Sequence, residues 1–136
     1  MTKNNSDYLK EQYFEYCNNT YTQKHIMNKT LIVNTPIRSG QKIYAKNRDL
    51  VITNNVSPTA ELIADGNIYI YGIMKGRVLA GANGDNSRQI FCSKFYPELI
   101  SIAGEYLVME YLPLHYIGQS VQIYFKKKSL EIKLIK

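Results

Sequence analysis

The chain has 136 residues, of which 45% are hydrophobic and 21% are charged, and its formal net charge is +6. This size and composition suit one soluble domain with a tail, and two cysteines exclude a disulfide framework. Because the sequence shows neither an apolar stretch of membrane-spanning length nor a signal-peptide core, we expect a cytoplasmic protein. Five lysines and one glutamate lie between residues 113 and 136, so that segment carries +4 and the middle of the chain is nearly neutral. The basic balance therefore gives little support to nucleic-acid binding.

The first thirty or so residues differ from the rest in composition and hydrophobic pattern. They show no sustained hydrophobic period, although residues 7–16 can form a short helix with its apolar side chains on one side. An isolated helix of that length is only marginally stable. We therefore expect residues 1–33 to form a tail or linker and residues 34–136 to form the domain.

From Ile43 onward, short apolar runs alternate with Gly, Asn, Asp or Pro. None of the runs is long enough for an ordinary helix, and β-branched and aromatic residues dominate them, so they predict β-strands. The predicted strands cover residues 50–53, 61–64, 68–71, 77–80, 89–92 and 99–103.

Two series of residues recur within these strands. Ile52, Ile70 and Phe91 are 18 and then 21 positions apart, while a second series, Leu62, Val78 and Ile100, has spacings of 16 and 22. A period of about 18 residues with loop insertions indicates stacked coils, in which each strand lies over its counterpart one turn earlier.

Two topologies fit this pattern. In stacked coils, glycines would take the positive φ that tight corners need. The glycines expected at these corners are Gly66, Gly72, Gly76, Gly81, Gly84 and Gly104. In the alternative, an antiparallel meander, Asp65-Gly66 would be a hairpin turn. The sequence pattern alone leaves both topologies open.

The C-terminal stretch is different again. Residues 121–125 and 130–134 flank the run Lys126–Lys128, and the second segment alternates cleanly between apolar and polar residues. This pattern predicts a half-exposed hairpin that caps the stack. The lysine run, with Tyr124 and Phe125 beside it, is typical of a charged hairpin tip more than of a single-strand-binding site.

The sequence offers no recognisable catalytic or cofactor motif. It contains neither a phosphate-binding loop nor a dinucleotide fingerprint, and the two histidines lie far apart, so we predict no catalytic residue, no metal and no cofactor. Cys92 lies in an apolar run and is expected to be a buried structural thiol. The acidic residues Glu61, Asp65, Asp85, Glu98 and Glu105 are scattered at turns. An enzyme acting on a polysaccharide or an acyl donor would need the fold to pair two of them.

A short polar segment, Arg38–Gln41, precedes the apolar region. Pro36 holds the chain extended before it, and Gly40 permits a sharp bend. Arg38 offers a forked, permanently charged donor, and its neighbours add neutral donors and acceptors. Residue type alone favours an ordinary exposed loop over a binding site.

Three longer segments, "TPIRSGQKIYA", "AELIADGNIYIYGIMKGRVLAGANGD" and "QIFCSKFYPELISIAGEY", are specific enough to carry a resemblance. Together they resemble the C-terminal domain of the MinC family of bacterial septum-site-determining proteins. The resemblance runs from about Thr35 to Tyr106 and continues loosely to the end of the chain. It implies an all-β fold, a right-handed, single-stranded β-helix (solenoid) of triangular section, and therefore favours stacked coils over the meander.

The resemblance also implies a function and partners. Proteins of this family are non-enzymatic regulators that dimerise through one face of the β-helix. They bind the ATP-bound form of MinD, a membrane-attached ATPase, which recruits them from the cytoplasm to the inner face of the membrane. With MinD they engage FtsZ and block division rings at the cell poles.

The family motif assigns roles to particular positions of this sequence. The residues that it implies for MinD binding are Arg38, Ser39, Gly40, Gln41 and Asp65. Glu61 and Asn67 are expected neighbours of this surface. Arg77, in the segment GRVLAG, resembles a residue on the FtsZ side.

The sequence departs from the family pattern at its N-terminus. Family members usually carry a separate N-terminal domain of about a hundred residues, within the ordinary size range of a domain, which acts directly on FtsZ filaments. Residues 1–33 do not resemble that domain. The resemblance therefore extends to MinD docking and dimerisation and leaves direct action on FtsZ filaments unsupported.

Overall fold

A computed structural model describes residues 28–136. The helix expected between residues 7 and 16, and all but the last few residues of the expected tail, lie outside the described residues. Within the described part the chain forms eleven strands and two short 3₁₀ helices. The strands are β1 (Leu31–Val33), β2 (Lys42–Ala45), β3 (Leu50–Ile52), β4 (Glu61–Ala64), β5 (Ile68–Met74), β6 (Arg77–Ala80), β7 (Ile90–Phe95), β8 (Leu99–Ile102), β9 (Glu105–Val108), β10 (Val121–Lys126) and β11 (Ser129–Leu134). The 3₁₀ helices are Met109–Tyr111 and Leu114–Tyr116.

The strands stack as coils of a β-solenoid. Strands β1, β3, β5 and β7 pair in parallel in one sheet, here called sheet A, and β2, β4, β6 and β8 pair in parallel in a second, sheet B. A third side is formed by single bridges that join Ile37 to Val56 and Val56 to Met74. The prediction of stacked coils is confirmed, and the meander is wrong. Asp65-Gly66 joins strands of different sheets and is therefore a corner, not a hairpin.

The register of the coils agrees with one predicted series and corrects the other. Leu62 lies opposite Val78, which lies opposite Ile100, as predicted. Ile52 lies opposite Ile70, but Ile70 pairs with Cys92 and not with Phe91. Because successive side chains of a strand point to opposite faces, this difference of one residue turns Phe91 outward. There its ring stacks on Tyr69, with the ring centroids 5.2 Å apart and the planes inclined by 8°.

The core is a single column of inward-facing side chains inside the coils. Its largest fully buried members include Leu50, Ile52, Leu62, Ile68, Ile70, Ile90, Phe95 and Ile100. Cys92 belongs to this core, and burial raises the pKa of its thiol to about 12. The prediction that Cys92 is a buried structural thiol is confirmed.

Polar side chains at the start of the sheet A strands join one coil to the next. The backbone N–H of Asn67 donates to the Asp49 carboxylate at 2.7 Å, and the backbone N–H of Gln89 donates to the Asn67 side-chain oxygen at 2.8 Å. Each side chain thus satisfies a corner N–H that the sheets leave without a partner. This ladder fixes where the strands of sheet A begin.

The corner glycines serve two different purposes. Gly81, Gly84 and Gly104 have positive φ, as expected. The same expectation is wrong for Gly66, Gly72 and Gly76, whose φ is not positive. There the absent side chain allows coils to approach closely: a Cβ on Gly72 would overlap the backbone of Asn54 in the preceding coil.

The last strands close the stack. β9 pairs antiparallel with β8, and β10 pairs antiparallel with both β7 and β11. The predicted C-terminal hairpin is therefore confirmed, and it covers the edge of β7. Lys127 and Lys128 form its two-residue turn, with φ of 51° and 72°. Between residues 28 and 136, no helix has the length and apolar character that crossing a membrane requires.

Candidate protein-binding surface

The Arg38–Gln41 segment forms a compact turn immediately before β2. The N–H of Gln41 donates to the carbonyl of Arg38 at 3.0 Å, and the N–H of Arg38 donates to the side-chain oxygen of Gln41 at 2.6 Å. Gly40 has φ of 82° at the third position, as a type II turn requires. The segment is thus a closed turn and not an irregular loop.

The second coil, which runs from β3 through Val56 to β4, holds this turn at both ends. Ile37 is buried, its N–H donates to the carbonyl of Asn55 and its carbonyl accepts from Ser57, both at 2.9 Å. At the other end, the N–H of Glu61 donates to the carbonyl of Gln41 at 2.9 Å. The backbone is therefore fixed, while the side chains of residues 38, 39 and 41 are exposed.

Asp65 has a different environment. It follows β4, is only 3% exposed, and accepts two hydrogen bonds from the neighbouring coil. The Tyr44 hydroxyl donates to one carboxylate oxygen at 2.9 Å, and the N–H of Asn47 donates to the other at 2.8 Å. The hydrogen bond to Asp65 is the main reason that the pKa of Tyr44 is raised, with burial and the charge of Asp65 adding to it. We call Tyr44, Asn47 and Asp65 the Asp65 corner.

The Arg38–Gln41 turn and Asp65 lie at opposite ends of the same strands. The turn precedes β2 and Asp65 follows β4, and these two strands are parallel neighbours. A strand of four residues spans about 13 Å. The two parts of the family motif are therefore on one sheet but not in contact, and the outward side chains of Lys42 and Tyr44 lie between them.

Arg77, by contrast, lies at the same end of sheet B as the turn. It is the first residue of β6, in register with Glu61 and, one strand further, with Lys42. Two strand spacings place it about 10 Å from Lys42. Its Nε lies 3.6 Å from a carboxylate oxygen of Glu98, and the Lys42 amine lies 4.0 Å from Glu61. Sequence reasoning did not group Arg77 with the turn.

Glu61 and Asn67, the two residues expected beside the docking surface, lie in different parts of the structure. Glu61 projects from the outer face of sheet B beside Lys42, close to the turn. Asn67 belongs to the corner ladder, where its side-chain oxygen already accepts the Gln89 N–H. Of these two residues, only Glu61 therefore lies on the surface around the turn.

Sequence reasoning missed a second surface, the outer face of sheet A. Its outward residues form a cross-strand row of Ile32, Val51, Tyr69 and Phe91. Tyr71, 64% exposed, lies beside this row and lines a shallow groove of about 340 Å³ with Ile135. The alternation within each strand would have indicated these outward positions once Phe91 was placed in the correct register.

The acidic residues considered for catalysis are dispersed. Asp85 accepts hydrogen bonds from Ser87, which lower its pKa, and lies 2.8 Å from Arg88. Glu98 accepts the N–H of Thr59 and contacts Arg77. Residues 28–136 contain no cluster of three or more His, Cys, Asp or Glu side chains able to hold a metal. His115 is exposed beside Tyr116.

Comparison with known proteins agrees with this fold. The family model described as "Septum formation inhibitor MinC, C-terminal domain" matches residues 31–135. The chain is 52% identical over 132 residues to a probable septum site-determining protein MinC of Buchnera aphidicola subsp. Acyrthosiphon pisum (strain Tuc7), covering 96% of this chain and 56% of that protein. It is 52% identical over 110 residues to the corresponding protein of Yersinia pestis (strain Pestoides F), covering 81% of this chain and 48% of that one.

A solved structure is similar in the same region. A chain of the "MinC:MinD cell division protein complex" from Aquifex aeolicus superposes with a TM-score of 0.72 at 27% sequence identity, covering 80% of this chain and 88% of that chain. The chain spans about half the length of the curated relatives that it matches. Since the family model covers most of the sequence, the chain belongs to the MinC C-terminal domain family.

Proposed function

We propose that this protein is a non-enzymatic regulator of cell division that docks onto ATP-bound MinD through the Arg38–Gln41 turn. With MinD it blocks FtsZ ring formation at the cell poles. The observation that carries the proposal is the turn itself, a closed and backbone-anchored corner whose polar side chains face solvent. The similarity to a chain of a MinC:MinD complex supports the choice of partner.

The physical properties of the turn suit specific protein recognition. Its backbone is already held by the second coil, so little backbone conformational entropy would be lost on binding. Arg38 can form paired hydrogen bonds with a carboxylate of the partner. Ser39 and Gln41 add neutral donors and acceptors, which favour specificity over strong non-specific attraction.

MinD docking would also set the location of the protein. The chain itself would reside in the cytoplasm, and membrane-attached MinD would recruit it to the inner face of the cytoplasmic membrane. Arg77 is the proposed FtsZ-side residue. Since it lies about two strand spacings from Lys42, the two partners would approach adjacent parts of sheet B.

We further propose that the protein forms a homodimer through the outer face of sheet A. The row Ile32, Val51, Tyr69 and Phe91 is apolar, and an apolar row can pair with its own copy across a two-fold axis. Sedimentation velocity of a Tyr71→Glu variant tests this. A monomer is expected, while Tyr111→Glu, which changes another exposed tyrosine, should remain dimeric. A dimer in both variants would contradict this interface.

Co-sedimentation with MinD, ATP and lipid vesicles tests the docking proposal. The unaltered protein should sediment with the vesicles in ATP and not in ADP. Arg38→Ala should remain in the supernatant. Lys126→Ala, which removes one exposed positive charge at the other end of the molecule, is the matched control and should sediment normally. Normal recruitment of Arg38→Ala would contradict the proposed surface.

A further inference from the structure

Asp65 presents a difficulty for its implied role as a contact residue. Its side chain is almost fully buried, and each carboxylate oxygen accepts a hydrogen bond from the same chain. A carboxylate in this state offers little surface and no unused oxygen atom to a partner. If Asp65 contributes to docking, the geometry indicates that it acts through a neighbour.

Tyr44 is the neighbour that reaches the surface. It is 50% exposed and points outward from β2, three residues after Gln41. Three residues of strand span about 10 Å, so Tyr44 and the Arg38–Gln41 turn fit within one interface of ordinary size. Tyrosine is also one of the residue types that most often dominate the energetics of protein interfaces.

The hydrogen bond to Asp65 prepares Tyr44 for this role. The hydroxyl donates a hydrogen bond to the carboxylate, which restricts the ring to one orientation on the face of sheet B. The phenolic oxygen can still accept a hydrogen bond from a partner, and the exposed ring face can pack against an apolar or cationic group. A side chain that is already oriented loses less entropy on binding.

We propose that Tyr44 contacts MinD directly and that Asp65 is a positioning residue that acts through Tyr44. This inference rests on the proposed docking function and extends the docking surface from the Arg38–Gln41 turn along β2. It also explains how a buried residue at the far end of the strand belongs to the same functional unit as an exposed turn.

A double-mutant cycle tests the inference. The dissociation constant for MinD in ATP is measured for the unaltered protein, Tyr44→Ala, Asp65→Ala and the double variant. Each single change should weaken binding about tenfold or more, as loss of an interface anchor does. The double variant should bind no more weakly than the weaker of the two single variants, because Asp65 has no effect once Tyr44 is absent.

Two conservative variants are included in case an alanine variant fails to fold. Tyr44→Phe keeps the ring and removes the hydrogen-bond donor, and Asp65→Asn keeps the size of the side chain.

Tyr106→Ala is the matched control. Tyr106 is 65% exposed and lies on the same face of sheet B, at the opposite end of the cross-strand row that begins with Tyr44. Its affinity for MinD should not change. Circular dichroism confirms that each variant is folded before binding is measured.

The outcomes separate the inference from the function on which it rests. Wild-type affinity of Tyr44→Ala, together with lost binding of Arg38→Ala, would overturn the role of Tyr44 and leave the docking function intact. Losses that multiply in the double variant would overturn the positioning role of Asp65. An unaltered protein that does not bind MinD would overturn both the inference and the docking function.

Discussion

The two ends of sheet B carry polar residues of similar type that are used in opposite ways. In the Arg38–Gln41 turn, hydrogen bonds join residues three apart and the side chains face solvent. In the Asp65 corner, hydrogen bonds join residues 21 and 18 apart and the carboxylate is buried. The turn therefore leaves its polar side chains exposed, whereas the Asp65 carboxylate uses both of its oxygens to join two neighbouring coils.

The largest contrast should be in the stability that Gly66, beside the Asp65 corner, and Gly40, in the turn, lose on substitution by alanine. A Cβ on Gly66, next to Asp65, would overlap the Arg48 backbone and the Asp49 carboxylate. We expect Gly66→Ala to lower the free energy of unfolding by about 3 kcal/mol, the upper end of the usual cost of overpacking. Thermal unfolding should show a midpoint lower by more than about 10 °C. A midpoint close to that of the unaltered protein would contradict close packing at this corner.

Removing the central side chain of each region should give the next largest contrast. Asp65→Ala leaves the Asn47 N–H and the Tyr44 hydroxyl without their acceptor, which should cost about 2 kcal/mol. Arg38→Ala removes an exposed side chain and should change stability by less than about 0.5 kcal/mol. Urea unfolding measures both. Equal losses in the two variants would remove the distinction between the regions.

Gly40→Ala should have a smaller effect than Gly66→Ala, for a different reason. A Cβ on Gly40 would meet no atom within 4 Å, so only the positive φ of 82° opposes alanine. The expected cost is about 1 kcal/mol, the lower end of the cost of a left-handed conformation for a residue that has a Cβ. The free energy of MinD binding should fall by more than the free energy of unfolding, because the strain lies in the proposed docking turn. The matching pair of unfolding and binding measurements would show whether the two effects separate.

The smallest expected effect depends on pH. The pKa of Tyr44 is raised above 10.0 in the folded protein, chiefly by the hydrogen bond to Asp65. That bond therefore contributes stability below the unfolded pKa and loses it as the pH rises through the folded value. The advantage of the unaltered protein over Tyr44→Phe should thus shrink above about pH 10. Urea unfolding of both proteins across this range would detect it, and a constant difference would contradict the assignment.

Eight of the eleven strands were predicted from the sequence, because each of those runs carries its own local pattern. The short strands β1, β2 and β9 were not predicted, and β1 falls within the expected tail. Sequence reasoning misjudged Phe91 because the register depends on the length of the corner before β7, where one residue reverses the face. It also could not reveal that Asp65 is buried, since that depends on hydrogen bonds to residues of the preceding coil. The exposure of Tyr44 could have been predicted, because alternation along Lys42–Ala45 already indicates that it points outward.

Hydrogen exchange of the protein, alone and saturated with MinD and ATP, tests whether the Arg38–Gln41 turn and Tyr44 form the docking surface. Peptides that cover residues 38–45 should exchange more slowly in the complex, because the proposed interface contains the turn and Tyr44. Peptides from the outer row of sheet A should be unaffected by MinD. Slower exchange confined to sheet A, with none at residues 38–45, would show that MinD docks elsewhere and would contradict the proposed docking surface.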